Sequence, residues 1–450
     1  MSKRNKSGWP RAVFALAVAF MFTTGLLWPS LAPNSAAQVA APQRPPVATV
    51  NPRSASVAAA TIEVLKETGE IRQLGVLRAV KSGAQSRTEI ERMLVRNLDE
   101  QSTPAELHAS ELALKKLGLV PADFAMRSFL IELLTEQVAG YYDPKTQEFY
   151  LADWIDLDGQ QPVIAHELTH ALQDQHFNLR RFSDWPKGDS DAELAAHALV
   201  EGDATLVMTF YVMRDLKRVA AMMKSMNASG SASEKIERAP RVLRDSLLFP
   251  YKQGMEWASQ VYRRGGWPLI SEAFKNLPQS TEQILHAEKY FAREAPVKIN
   301  LPEIAGLLGK GWTRLDYDVN GEWSYFQILD EYLRAEKESQ KAVEGWGGDR
   351  FALYENRATR QVLLAQLTAW DTEADAAEFF DAYVKRTERR YKNAVADTRA
   401  SVPVETRRAW RATGEGMIVL ERQGARVAIL EGVPEKADAG ELLKKILIGQ

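Results

Sequence analysis

The chain of 450 residues contains no cysteine. That single absence excludes a disulfide framework, a thiolate metal site and a lipid-modified N-terminal cysteine. Surplus charge is also missing. The formal net charge is −2, and without a basic excess there is no electrostatic footprint for a nucleic-acid partner. Histidine is scarce, six in all, so histidines at a metal-binding spacing carry information. Fixed-period repeats are absent, which excludes a solenoid. One long apolar run is present, Ala12 to Trp28, preceded by Lys3, Arg4, Lys6 and Arg11 and followed by the small-residue stretch Ser35-Ala36-Ala37. It reads as a secretory signal over residues 1–37, and Pro29 with the small residues after it favours cleavage. The alternative is an uncleaved anchor, because Ala12 to Ala32 approaches the length that spans a bilayer. The expectation is an exported protein, periplasmic or secreted, that meets a membrane only through this segment.

With 45% hydrophobic residues, the chain can bury a large core and is expected to form two folded units. Residues 38–54, with prolines at 42, 45, 46 and 52, read as a linker. From Val57 to Gln137 the pattern is helical; Thr103-Pro104-Ala105-Glu106 is a helix start, and Gly118 and Pro121 mark the next join. Val138 to Leu151 reads as a hairpin around Asp143-Pro144. Asp189 to Tyr290 is again mostly helical, with a polar break at Asn227 to Ser233 and punctuation at Phe249 to Gly254 and Gly265 to Pro268. Beyond residue 310 the pattern changes to strands at Phe351–Tyr354 and Gln361–Leu367, a helix from Thr372 to Tyr391, strands at Gly416–Leu420 and Arg426–Leu430, and a final helix. Gly345 to Arg350 is glycine-rich, but it precedes a strand and lacks a following Lys-Ser or Lys-Thr, so it reads as a tight turn rather than a phosphate loop. The expected fold class is α+β: a mostly helical domain over 55–310 with a small edge hairpin, and a smaller α+β domain over 311–450.

His166-Glu167-Leu168-Thr169-His170 carries the chemistry. Four residues slightly exceed one helical turn, so His166 and His170 leave one face and can share a tetrahedral metal, with Glu167 about 100° round the helix. In a catalytic site of this kind zinc lowers the pKa of a bound water and the glutamate takes its proton. Pro162 to Ala165 lead in with an apolar run, and Leu168, Ala171 and Leu172 supply a buried stripe, so the motif lies where a site can be sheltered. Two residues offer a third ligand. His176 stands six residues after His170, but Gln173 occupies the place where that spacing needs a glycine turn, and a continuing helix carries His176 about 240° away. Glu201 stands on a second helix entered through Asp189 or Ser190, in line with Glu193 and His197 at four-residue spacing.

An HExxH pair followed by a glutamate on a second helix resembles the gluzincin branch of the zincin metallopeptidases, and HELTHALQD is similar to the thermolysin-like motif. The whole chain resembles a family of uncharacterised bacterial exported proteins that share the blocks GYYDP, HELTHALQDQ, VEGDA and STEQILH. The zincin resemblance implies that His166, His170 and Glu201 hold Zn2+, that Glu167 is the general base and that Asp174 orients a ligand histidine. The gap from His170 to Glu201 is longer than in thermolysin-like enzymes, and Glu-Gly-Asp replaces their usual context, so no specificity is implied. His197 and Glu193 can hydrogen-bond a ligand or simply close a helix pair. In zincins the strand before the motif helix forms a rim on which an extended substrate pairs; the alternative here is a hairpin that packs Tyr142 and Phe149 into the core. Ser280 with Gln283 marks a capped turn, from which His286 or Tyr290 could donate to a developing oxyanion, unless His286 is structural. The expected function is zinc-dependent hydrolysis of a polypeptide or peptide substrate. Its alternatives are an envelope protein that binds zinc without turnover and a zinc amidase acting on a cell-wall amide.

Overall fold

The computed structural model describes residues 52–154, 157, 160–183, 185–228, 238–401, 403 and 405–448; the expected signal and nearly all of the expected linker lie outside them. Helix α1, Pro52–Arg72, takes up the last residues of that linker. Strand β1, Lys81–Gln85, lies in a stretch whose sequence reads as helical. Its KSGAQ sequence has no β-branched residue, so only pairing with another strand makes it extended. Helices α2, Arg87–Gln101, and α3, Pro104–Leu117, each begin in a reciprocal capping box, Ser86 with Glu89 and Thr103 with Glu106. Gly118 ends α3 in the left-handed region at φ 72°. After α4, Met126–Gln137, come the expected hairpin strands β2, Gly140–Asp143, and β3, Glu148–Ala152. β3 is the central strand of the order β1-β3-β2, antiparallel to β2 and parallel to β1.

The helical middle comprises α5 (Gln161–Phe177), α6 (Arg180–Ser183), α7 (Ser190–Met213), α8 (Leu216–Ala228) and α9 (Arg241–Ala273). α8 runs into the expected polar break, whose remaining residues, 229–233, lie outside the described ones. α9 passes through Pro250 and kinks at Gly266, where φ is 65° and ψ −162°, the joint marked in the sequence by Gly265-Gly266-Trp267-Pro268. Short helices α10 (Thr281–Leu285), α11 (Ala287–Ala292) and α12 (Ala305–Leu308) lead out of it.

The C-terminal unit contains β4 (Trp312–Asp318), α13 (Gly321–Leu333), α14 (Glu336–Val343), β5 (Trp346–Asn356), β6 (Gln361–Trp370), α15 (Glu373–Arg390), β7 (Val395–Ala396), β8 (Arg407–Ala412), β9 (Gly416–Gln423), β10 (Arg426–Val433) and α16 (Ala439–Ile448). Its seven strands form one antiparallel sheet in the order β4-β5-β6-β10-β9-β8-β7. The expected strand, strand, helix, strand, strand, helix pattern is present as β5, β6, α15, β9, β10 and α16. β4, β7, β8 and the two helices α13 and α14 are additions to it. β8 reads RRAWRA, too charged to look like a strand until its neighbours cover it. The glycine-rich run is corrected as well: Gly345 alone turns, at φ 82°, and Trp346 onwards is strand.

One hydrophobic core joins both sides of residue 310, since Leu94, Leu114 and Leu133 from the early helices pack with Phe379, Tyr383 and Ile429. A buried ion pair between Arg386 and Glu431, at 2.9 Å, sits in it, and Arg386 also donates to Leu117 O at 2.6 Å. A second core encloses the motif helix, with Ile164, Leu168 and Leu172 of α5 against Leu65, Leu194 and Trp257.

Candidate metal centre

Helix α5 is buried continuously from Val163 to Asp174, as a helix surrounded by core must be. It has no side-chain cap, and Pro162 in its first turn needs no N–H partner. α7 begins at the Asp189 cap, whose carboxylate accepts from Ala192 N–H. Its first turn is keyed to later segments: Ser190 N–H donates to Asp318 at 2.9 Å, and Asp191 accepts from Thr281 N–H at 3.1 Å. Farther along, α7 and α9 touch backbone to backbone. A Cβ on Gly202 would lie 2.2 Å from Gly254 O, and one on Gly254 would lie 2.2 Å from Ala198 O. Gly202 follows Glu201 directly, so this crossing sets where Glu201 stands.

Three ligand atoms converge. His166 Nε2 and His170 Nε2 are 3.0 Å apart, and Glu201 Oε2 is 3.0 Å from the first and 3.4 Å from the second. Donors about 2.0–2.1 Å from a tetrahedral zinc lie roughly 3.3 Å from one another, so the spacing fits such an ion, and two imidazoles with one carboxylate are a zinc ligand set. All three side chains are fully buried. Among the described residues one other group of metal-ligating side chains is as close, Glu282, Glu294 and Asp371, but the Lys289 ammonium pairs with all three.

The charges agree. Burial pushes the Glu201 carboxyl up, but the neighbouring His170 charge and the hydrogen bonds of both imidazoles hold it down at about 2. Burial pushes His170 down, yet Glu201 and then Glu167 raise it to about 9, while burial keeps His166 below its ordinary value. A proton on His170 thus takes the place beside the Glu201 carboxylate that a metal ion would take, since only a neutral imidazole can ligate an ion. Glu167 accepts from Tyr142 N–H of β2 at 2.9 Å through Oε2, while its buried Oε1 has no hydrogen-bond partner among the described residues. Burial raises its carboxyl to about 8. One oxygen is fixed and the other is open to receive a proton.

Gln173 orients His170, a role expected of Asp174. The Gln173 amide oxygen accepts from His170 Nδ1 at 2.9 Å, which leaves Nε2 for the cluster. Its amide nitrogen donates to Val200 O at 3.0 Å and to Asp203 at 2.9 Å, and Asp203 in turn pairs with Arg72 Nε at 2.6 Å. Every member of this chain is buried. Asp174 instead accepts from Tyr142 Oη at 2.9 Å, Arg78 at 2.8 Å and Leu179 N–H at 3.0 Å. The sequence offered Gln173 only as a missing glycine; its spacing, three residues after His170, was the available signal.

The structure brings together His166, Glu167, His170 and Glu201 and gives His176, His286 and Tyr290 partners elsewhere. α5 continues through Gln173, so His176 meets Gly75 O at 2.8 Å at the helix end. His286 pairs with Glu322 at 2.9 Å, and Tyr290 Oη donates to Asn276 O at 2.9 Å. Glu193 and His197 are buried on α7, and neither ring nitrogen of His197 hydrogen-bonds a ligand. Gln173→Leu is expected to weaken zinc binding about 10- to 100-fold, whereas His176→Ala leaves it unchanged. Competition with a fluorescent chelator measures both, and equal affinities for the two variants would remove Gln173 from its role.

Residues 310–443 match the model of a domain of unknown function, DUF8575. The matched segment runs from β4 into α16 and contains none of the converging residues. No curated protein and no solved structure matches the chain.

Proposed function

We propose that the chain is a zinc-dependent hydrolase of peptide bonds that acts outside the cytoplasm. The observation that carries this reading is the convergence of His166, His170 and Glu201 beside a glutamate with one oxygen held and one open. Zinc bound there would supply a nucleophilic water and polarise the carbonyl. His166, His170 and Glu201 would hold the ion, and Gln173 keeps His170 Nε2 turned toward the other two donors. Glu167 takes the proton of the attacking water on Oε1 and returns it to the departing amine nitrogen, while Tyr142 N–H keeps the carboxyl in place. β2 is an edge of its sheet, the place where the zincin resemblance puts an extended substrate, and its Tyr142 N–H is already given to Glu167. Export rests on residues 1–37.

A second reading, zinc held without turnover, is favoured by one observation: all four site side chains are fully buried. A cell-wall amidase would share the same site. Metal analysis of the purified mature protein beside a peptide-library cleavage assay separates them. The expected result is one zinc per chain and cleavage that a chelator abolishes and added zinc restores. Stoichiometric zinc with no cleavage would favour the binder or the amidase, and cleavage indifferent to chelation would overturn the hydrolase mechanism.

A further inference from the structure

Five of the six histidines have polar partners for their rings: His108 with Glu355, His176 with Gly75 O, His286 with Glu322, and His166 and His170 in the cluster. His197 is different. Both of its ring nitrogens are buried without a hydrogen-bond partner among the described residues, in a side chain only 3% exposed. Each such unpaired polar atom costs about 1–3 kcal/mol, a cost that a leucine in the same place would not carry. A histidine needed only for packing has no reason to stand there.

Its surroundings indicate what it faces. His197 lies one turn before Glu201 on α7, so it shares that residue's face, and Glu201 and His170 are the charges that act on it. Phe182 lies beside the ring at 6.5 Å, with Trp185 stacked on Phe182 at 6.3 Å, an aromatic wall on that side. His197 is not among the convergent ligand atoms. Burial lowers its pKa to about 4, which leaves a neutral imidazole with one N–H to give.

We propose that His197 is a substrate-contacting catalytic residue that donates its ring N–H to the carbonyl oxygen of the scissile amide as that oxygen gains negative charge. This rests on the hydrolase reading. The donor is neutral and already desolvated, so its hydrogen bond strengthens as the charge develops. No proton changes owner: the water proton goes to Glu167, and His197 keeps its own.

The test uses His197→Leu and His197→Gln in the full-length protein, with zinc content, melting temperature, kcat and KM on a quenched fluorescent peptide library, and the affinity of the zinc-loaded protein for acetohydroxamate. Both variants are expected to keep stoichiometric zinc. His197→Leu should melt no lower than wild type, since it removes no hydrogen bond, yet lose about 10²–10³-fold in kcat with little change in KM. His197→Gln, which keeps an N–H, should recover part of that loss. Wild-type kcat in His197→Leu, loss of zinc from it, or no recovery in His197→Gln overturns the proposal. If the wild type cleaves no peptide, the hydrolase reading fails separately and acetohydroxamate decides the question. Binding about tenfold tighter to wild type than to His197→Leu supports the donor, and equal binding overturns it.

Discussion

Glu167→Gln is expected to hold zinc at wild-type stoichiometry while turnover falls about 10²–10⁴-fold, the usual contribution of a positioned general base. The amide matches the carboxyl in size, and its oxygen can still accept from Tyr142 N–H, so neither the fold nor the ligands should notice the change. Glu167 is fully buried and its carboxyl is already pushed up by that burial, so a neutral isostere costs little stability. What the amide cannot do is take a proton. His166→Ala, His170→Ala and Glu201→Ala act differently, because each removes one of three convergent donors and should lose the ion itself. Parallel metal analysis and kinetics on the four variants check both halves. Retained turnover in Glu167→Gln would sink the proposed mechanism, and full zinc in His166→Ala and Glu201→Ala would sink the ligand set.

Gly202→Ala should be among the most damaging single-methyl changes in the molecule. The added carbon would meet Gly254 O at 2.2 Å and Gly254 C at 2.3 Å, and both are backbone, so no side chain can swing aside. α7 has to move off α9, at the upper end of the overpacking range, about 3 kcal/mol. Glu201 is the preceding residue and moves with it, so zinc affinity should fall together with stability. Gly306→Ala is the control, since nothing lies within 4 Å of the position a Cβ would take there. Thermal unfolding with and without zinc gives the answer. A Gly202→Ala protein that melts and binds zinc like the control would show that the close crossing is not what places Glu201.

Much of this was legible from local rules. Helical spacing alone puts His166 and His170 on one face with Glu167 beside them, and the structure keeps them there. The caps at Thr103, Asp189 and Ser280 were readable because a cap is satisfied within three residues of itself. The same holds for the hairpin before the motif helix and for the amphipathic α15. Strand β1 escaped because nothing in KSGAQ prefers an extended chain; its conformation belongs to the pairing with Glu148–Ala152, more than sixty residues later.

The sequence by itself determined the chemistry available to this protein: an HExxH helix, a glutamate on a following helix, and an α+β unit after residue 310. These depend on periodicities of two and 3.6 residues and on caps, all of which act over a few neighbours. Only the tertiary structure decided which groups share a site. It put Gln173 rather than Asp174 against His170, tied that amide through Asp203 to Arg72 across 131 residues, and left His197 buried without a hydrogen-bond partner among the described residues. It also joined the early helices and the C-terminal sheet in one core. Such choices follow from how closely two helices can cross, which here depends on two glycines on different helices, Gly202 and Gly254, and no local rule relates residues that far apart in the chain.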